Sequence, residues 1–422
     1  MTAVDADRSE SSRGTDSPSG GRWEALSVPH YRVLFTSGTL VFLAVQGSSL
    51  ARVWLARSSN SALGGVMFAF GIAMLLGSQF GGVVTDRTSK RLIIIWSNVV
   101  LLGTSIALGL AVQTDTIEYW MLLVTSAAQG LAFAFMGPAR AAFSAELVAP
   151  SQLPNAIALS QVSLNVTKVV GPAIAGAMIG LGGTTGTASV YWASAVISVG
   201  AIAMTWRLPR GSVGGRRAGG SFVDGLRYVR AHAELRVVLL TSFVVVMIGF
   251  PYVTFLTRLV TDTFERDADS LGVLQTIGAV GAVIMTIFFA NRMAGKAWGL
   301  QIQSGAAFGV GLILLGVVPT YLAAVPIVLL LGGANAVFQT ANNTLALTIS
   351  EPEYHGRVQS LMMLSFGAFG LAALPLGVLA DTIGLGAMFV LCGVVVSGTI
   401  GLAVLWHLAR RSSPSAQDGI TP

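Results

Sequence analysis

"GGVVTDRTSKR", residues 81–91, closes a long apolar run with two glycines and then sets one carboxylate, Asp86, beside three cations, Arg87, Lys90 and Arg91. Three readings compete for it. Glycines followed by cations can cradle a phosphate at a helix N-terminus. The stretch can be the edge of a membrane span, where cations anchor the inner face. It can also be part of a moving gate. A phosphate loop needs Gly-x-x-x-x-Gly-Lys-Ser/Thr between a strand and a helix. That ending is absent here. The surroundings of the stretch must separate the other two readings.

Only 10% of the 422 residues are charged and 53% are hydrophobic. A water-facing domain carries roughly 25% charged residues. So small a polar share cannot coat a soluble surface, and the chain reads as an integral membrane protein. Net charge is +6, but in lipid the placement of cations says more than their sum. The single cysteine, Cys392, cannot form an internal disulfide. His30, His232, His355 and His407 stand apart, so no metal site is indicated. Residues 1–30 are polar and lack the apolar core of a signal peptide. They read as a disordered tail, as does "RRSSPSAQDGITP" at 410–422.

A helix needs about 20 apolar residues to cross the hydrocarbon. Twelve such runs lie near 33–56, 63–84, 92–112, 118–138, 156–181, 187–206, 236–258, 270–290, 299–318, 321–348, 358–380 and 385–407. They are too long and too uniformly apolar for the alternating strands of a barrel. With the N-terminus inside, 20 of the 25 lysines and arginines fall on the inner side. Arg52, Arg57, Arg258 and Arg266 fall at outer ends, and Lys168 within a span. This bias places both termini in the cytoplasm. Between spans six and seven, "GSVGGRRAGGS" (211–221) is a flexible linker, and "FVDGLRYVRAHAELR" (222–236) a basic amphipathic helix lying on the inner leaflet. The chain thus divides into a tail (1–30), a six-span bundle (31–207), a linker (208–235), a second bundle (236–408) and a tail (409–422).

The two bundles repeat one another. "TDRTSKR" at 85–91 resembles "ANRMAGK" at 290–296, so Asp86 falls on Asn291, Arg87 on Arg292 and Arg91 on Lys296. Arg52 falls near Arg258, Phe135 on Phe338 and Pro172 on Pro375, all at an offset of 203 to 208. Parallel six-span repeats fit two halves that rock around a site at the midplane.

On these residues the chain resembles the major facilitator superfamily, and within it the drug and siderophore exporter branch of enterobactin-exporter type. "GGVVTDRTSKR" is similar to the family signature Gly-x-Leu-x-Asp-Arg-x-Gly-Arg-Arg/Lys. Gly82, Asp86, Arg87, Lys90 and Arg91 match, while Ser89 replaces a glycine and Val84 a leucine. "VVGPAIAG" in span five resembles the exporter signature Gly-x-x-x-Gly-Pro-x-x-Gly-Gly through Gly171, Pro172 and Gly176, with Thr167 and Ala175 departing. "FMGPARAAFSAELV", "QLPNAIAL" and "HGRVQSL" add to it, and the resemblance runs from Tyr31 to Trp406.

The resemblance implies an all-α membrane fold of twelve helices in two pseudo-symmetric six-helix bundles. It implies a secondary transporter working by alternating access in a bacterial cytoplasmic membrane. It further implies proton-coupled antiport of a small organic molecule, such as a siderophore or a drug-like natural product. No cofactor is called for beyond a proton gradient or membrane potential. Asp86 would face the start of span eleven, near Gly356 to Gln359, and latch the halves on the cytoplasmic side. Arg140 and Arg357 are its charge partners in that reading.

Gln161, Asn165, Lys168 and Pro172 are spaced by 4, 3 and 4 and share one face of span five. An ionisable group at mid-span costs roughly 2.5–3.5 kcal/mol on insertion scales, so Lys168 should face the bundle interior or a watered cavity. A cargo-side or coupling cation is favoured over a lysine satisfied by carbonyls or headgroups. Asn335, Gln339 and Asn342 repeat the spacing in span ten, beside Asn343. They bridge helices or line a cavity, and the pattern does not choose between these. Gln46, Arg52, Gln129, Arg258 and Gln275 are further candidates. Arg52 and Arg258 lie near outer ends, where snorkelling to the headgroups is the ordinary reading. Pro172 and Pro375 allow kinks, and glycines such as Gly278, Gly281, Gly367 and Gly370 allow close packing.

No carboxylate stands at the centre of a span; Asp86 and Asp381 sit at ends, and Glu146, Glu351 and Glu353 in loops. Cations without buried anions favour an anionic or zwitterionic cargo over a cationic drug. The expected partners are the bilayer and a small molecule, not nucleic acid, and the expected state is a monomer. An enzyme is disfavoured, since nothing pairs a nucleophile with a base. A nucleotide-driven pump lacks its phosphate loop. An uptake carrier, a channel and a transporter-like sensor that moves nothing remain as alternatives.

Overall fold

A computed structural model describes residues 24–211, 222–290, 296–351 and 354–411, almost all of them helical. The tails, the linker stretch 212–221 and the repeat residues Asn291 and Arg292 lie outside the described residues. In lipid, backbone polar groups must be satisfied within the segment, which makes long apolar runs helical. α1 (Pro29–Leu55), α2 (Asn60–Arg87), α3 (Lys90–Gln113) and α4 (Tyr119–Leu147) follow one another through short turns. Pro29 opens α1, where its missing N–H costs nothing. Ser59 caps α2 by accepting the Ala62 N–H, and Thr320 caps a later helix through Ala323.

One helical run, Leu153–Trp206, then holds two spans. It turns back at Gly183, whose φ of 55° and ψ of −127° suit glycine alone. The chain reverses so tightly that a Cβ on Gly186 would lie 3.2 Å from Ile179 Cα. The two arms are α5 (153–182) and α6 (184–206), so the expected spans five and six meet without a loop. α7 (Phe222–Ala231) is the linker helix. α8 (Ala233–Thr263) outruns the expected 236–258 at both ends and contains two π-helical turns, Val245–Gly249 and Leu259–Thr263. α9 (Ala268–Ala290), α10 (Ala297–Val317), α11 (Tyr321–Ile349), α12 (His355–Ile383) and α13 (Leu385–Arg411) complete the chain.

Ten described segments are long and apolar enough to cross a membrane. One of them holds both α5 and α6, and α12 joins them through its apolar part Gly367–Ile383, which gives twelve spanning helices. They form two halves of six, α1–α6 and α8–α13. Helix alternation puts the α2–α3 turn and the linker at one end, called here the basic end. The α1–α2, α3–α4 and α5–α6 turns lie at the far end.

The halves meet along two seams, α2 on α12 and α5 on α9. At their glycine crossings both seams bring backbone against backbone. A Cβ on Gly71 would sit 2.6 Å from Gly370 Cα, and one on Gly176 would sit 2.8 Å from Gly272 Cα. Both lie in the far half of the molecule. The largest buried cluster also gathers there, drawing Leu50, Leu63, Ile179, Phe255, Leu271, Phe308 and Ala372 from both halves. At the basic end each half has its own cluster, one around Ile94, Phe143 and Leu208, the other around Leu235, Ala297 and Val358. Among the described residues the halves share a buried cluster at the far end and none at the basic end.

The linker helix, whose amphipathic pattern suggested the inner leaflet, packs part of its apolar face on protein. Tyr228 and Val229 bury against Leu235, Val238, Leu345 and Val358 of the second half. The Tyr228 ring stacks on Tyr354 at 3.8 Å, and its hydroxyl accepts the Glu351 N–H at 3.1 Å. Leu226, Arg227 and Arg230 stay exposed.

Candidate functional site

The polar face of α5 is the same face that meets α9. Toward the far end the Val169 carbonyl accepts the Thr276 hydroxyl at 3.1 Å, and the carbonyl of Pro172 lies 2.7 Å from a Cβ built on Gly272. One, two and three turns from Pro172 toward the basic end, Lys168, Asn165 and Gln161 are exposed. The stripe thus continues beyond the seam toward the basic end. Lys168 makes no ion pair among the described residues.

Gln46 is half-buried in α1 where α5 comes closest, 2.6 Å from a Cβ built on Gly171. Gly171 and Gly176 are thus close-approach positions, one inside the first half and one between halves. Pro172 and Pro375 sit inside α5 and α12, and helical assignment continues through both.

Arg52 does not snorkel, which corrects the expectation from its position. It is 4% exposed and donates to the Gln129 side-chain oxygen. It lies against a small polar cavity inside the first half, lined by Ser48, Thr104, Ser105, Ser194 and Ser198. Its Nε has no protein partner. Arg258, its counterpart in the repeat, does not snorkel either. It crosses to the first half and donates to the carbonyls of Arg57 and Ser58 at 2.9 and 3.1 Å.

The amides of α11 divide. Asn342 is fully buried and accepts from Gln301 of α10 at 2.9 Å, a bridge within the second half. Asn335, Gln339 and Asn343 are half-exposed, and each keeps a buried polar atom without a protein partner. Gln275 is half-buried in α9.

Around the opening motif, Gly82 and the side chains of Asp86 and Arg357 lie outside the described residues. Lys90 is buried and pairs with Glu146 of α4 at 2.7 Å. Arg91 donates to the Leu208 carbonyl at 2.7 Å, which caps the end of α6. Arg87 is exposed. Arg140 points into the first half, donates to the Leu34 carbonyl at 2.6 Å and lies over the Phe42 ring. Lys90, Arg91 and Arg140 thus bind the first half to itself. Among the described residues no group of His, Cys, Asp and Glu is placed to hold a metal ion. Asp381, Glu146 and Gln301, set aside as loop or span-end residues or passed over in the sequence, each make defined contacts.

Twelve helices in two halves that meet along two close-packed seams make a membrane transporter of the major facilitator type. Residues 20–417 match the family described as transmembrane secretion effector, and the chain belongs to that family. It is 24% identical over 399 residues to the staphyloferrin A transporter of Staphylococcus aureus, covering 90% of this chain and 96% of that one. It is 23% identical over 353 residues to macrolide efflux protein A of Streptococcus pyogenes, covering 79% and 85%. Among solved structures, the nucleoside transporter NupG superposes with a TM-score of 0.66 at 13% identity, over 91% of this chain and 99% of that one. A bacterial homologue of the lysosomal transporter Spinster, in an inward-facing and unoccupied conformation, gives 0.66 at 16% identity, over 91% and 97%. These likenesses confirm the expected fold.

Proposed function

We propose that the protein is an alternating-access exporter in a bacterial cytoplasmic membrane, with the basic end and both termini in the cytoplasm. It exchanges protons for a small anionic or zwitterionic organic molecule of siderophore or natural-product type. The observation that carries this reading is the exposed Gln161–Asn165–Lys168 stripe, one cation flanked by two amides on the face of α5 that meets α9. Asn335, Gln339 and Asn343 offer unpartnered amide atoms for the neutral part of a cargo. The two curated relatives, a siderophore transporter and an efflux protein, support the cargo class and the direction. The cation bias supports the orientation. Asp86 belongs to the same reading: near the end of α2, it caps the start of α12 beside Arg357 when the basic end closes.

Everted vesicles under an imposed proton gradient test it, with labelled staphyloferrin A and a macrolide as probes. Accumulation of the siderophore should fall roughly 10- to 100-fold in Lys168→Ala, the loss expected for one charge-assisted contact. Lys168→Arg should keep most of the rate. Equal accumulation in Lys168→Ala would remove the cargo assignment. Transport seen only in right-side-out vesicles would reverse the direction.

A further inference from the structure

The turn between α1 and α2 is gripped on both flanks by the opposite half. On one flank, Asp381 of α12 reaches the start of α2. Its Oδ1 accepts the Asn60 N–H at 3.0 Å and the Asn60 side-chain amide at 2.9 Å, and its Oδ2 accepts the Ser61 N–H at 2.9 Å. Ser59 takes the next two donors, Ala62 through its hydroxyl and Leu63 through its carbonyl. The three N–H groups that open α2, those of Asn60, Ser61 and Ala62, are therefore all satisfied, two of them from the other half. On the other flank, Arg258 of α8 donates to the Arg57 and Ser58 carbonyls just past the end of α1. Asp262 holds that guanidinium at 2.5 Å.

The charges match what they cap, an anion at a helix N-terminus and a cation beyond a C-terminus. Asp381 is badly placed for its own helix. It lies two residues from Ile383, the end of α12, where the carbonyls already present negative charge. Its favourable surroundings come from α2, and they last only while the halves touch at the far end.

We propose that Arg258 and Asp381 form the far-end gate. They clasp the α1–α2 turn in the far-end-closed state, and both contacts break each time the far end opens. This rests on alternating access alone, not on the direction or the cargo proposed above.

The test uses the full chain in nanodiscs, spin-labelled at Thr116→Cys and Thr263→Cys, two exposed far-end positions in opposite halves. Distance distributions then give the ratio of open to closed far ends without any cargo. Asp381→Ala should raise that ratio roughly 5- to 30-fold, the effect of losing one helix cap. Arg258→Gln should raise it about two- to fivefold. Asp381→Asn keeps an acceptor but loses the charge, so it should fall between parent and Asp381→Ala. Melting temperatures should stay near the parent value, because the contacts join halves rather than build either one. A second distance whose share is unchanged by Asp381→Ala and Arg258→Gln would overturn the clasp and leave alternating access standing. A single distance in every variant would overturn both.

Discussion

Gly71→Ala tests whether the α2–α12 seam is as tight as it stands. The added Cβ would lie 2.6 Å from Gly370 Cα and 3.0 Å from the Gly367 carbonyl oxygen. Carbon pairs settle near 3.5–4.0 Å, so the shortfall is about 1 Å. Both neighbours are backbone, so no side chain can swing away. The helices must part, and a gap of about 0.5–1 Å forfeits a quarter to a half of each contact's dispersion well. Overpacking of this kind costs about 1–3 kcal/mol. Alanine's helix propensity, about 1 kcal/mol better than glycine's, acts in both conformations and cancels. The closed far end alone pays, so the open-to-closed ratio should rise about 5- to 150-fold, at about 1.4 kcal/mol per decade. Spin labels at Thr116→Cys and Thr263→Cys read that ratio, and Cys392, 3% exposed, should stay unlabelled. Gly103→Ala is the control, since a Cβ there meets nothing within 4 Å. If Gly71→Ala matches that control, the seam is not closed in any populated state and the clash argument fails.

Lys90→Met should lower the melting temperature in detergent, because it strands Glu146, while Lys90→Met with Glu146→Leu should recover most of the loss. The single cost is about 1–2 kcal/mol, reduced because the Glu146 side chain is 29% exposed. Asn342→Leu should cost about 1–3 kcal/mol by leaving the buried Gln301 amide without its acceptor. It should spare transport per folded molecule, whereas Asn335→Ala or Gln339→Ala should slow flux without lowering the melting point. Gly183→Ala should cost about 1–3 kcal/mol in backbone strain and reduce the yield of folded protein, with Gly182→Ala, which meets nothing, near neutral.

The architecture was legible because a bilayer writes it into composition. Long apolar runs must be helical and cations mark the ends, so the twelve spans emerge, most of them within a few residues, while α4 runs on to Leu147, nine residues past its expected end. The separation of α10 from α11 at Val317 and Tyr321 follows the expected break. What a one-dimensional reading lacks is azimuth. It gives the depth of Arg52 and Arg258 along their helices but not the direction each points, so both looked like snorkelling side chains. One turns inward to Gln129 and the other across to Arg57. The linker helix shows a related limit: an apolar stripe does not say whether lipid or protein covers it, and Tyr228 and Val229 meet protein. The stripe on α5 was readable because its spacing alone fixes a face, and that face proved to adjoin α9. Asp381 did carry a signal. A carboxylate at the C-terminal end of its own helix is in an unfavourable place unless another helix begins beside it.

At their glycine crossings the seams joining the halves have no interlocking teeth. Where Gly71 meets Gly370 and Gly176 meets Gly272, no side chain projects from either glycine. Parting such surfaces requires no rotamer to unlock at those crossings, so resistance to separation there is smooth rather than ratcheted. Friction in the opening motion should then concentrate at the rim, where the Asp381 and Arg258 contacts lie, as in a door with a plain edge and a single catch. Bulk added along the edge would keep the door ajar, whereas changes at the catch would set how often it swings.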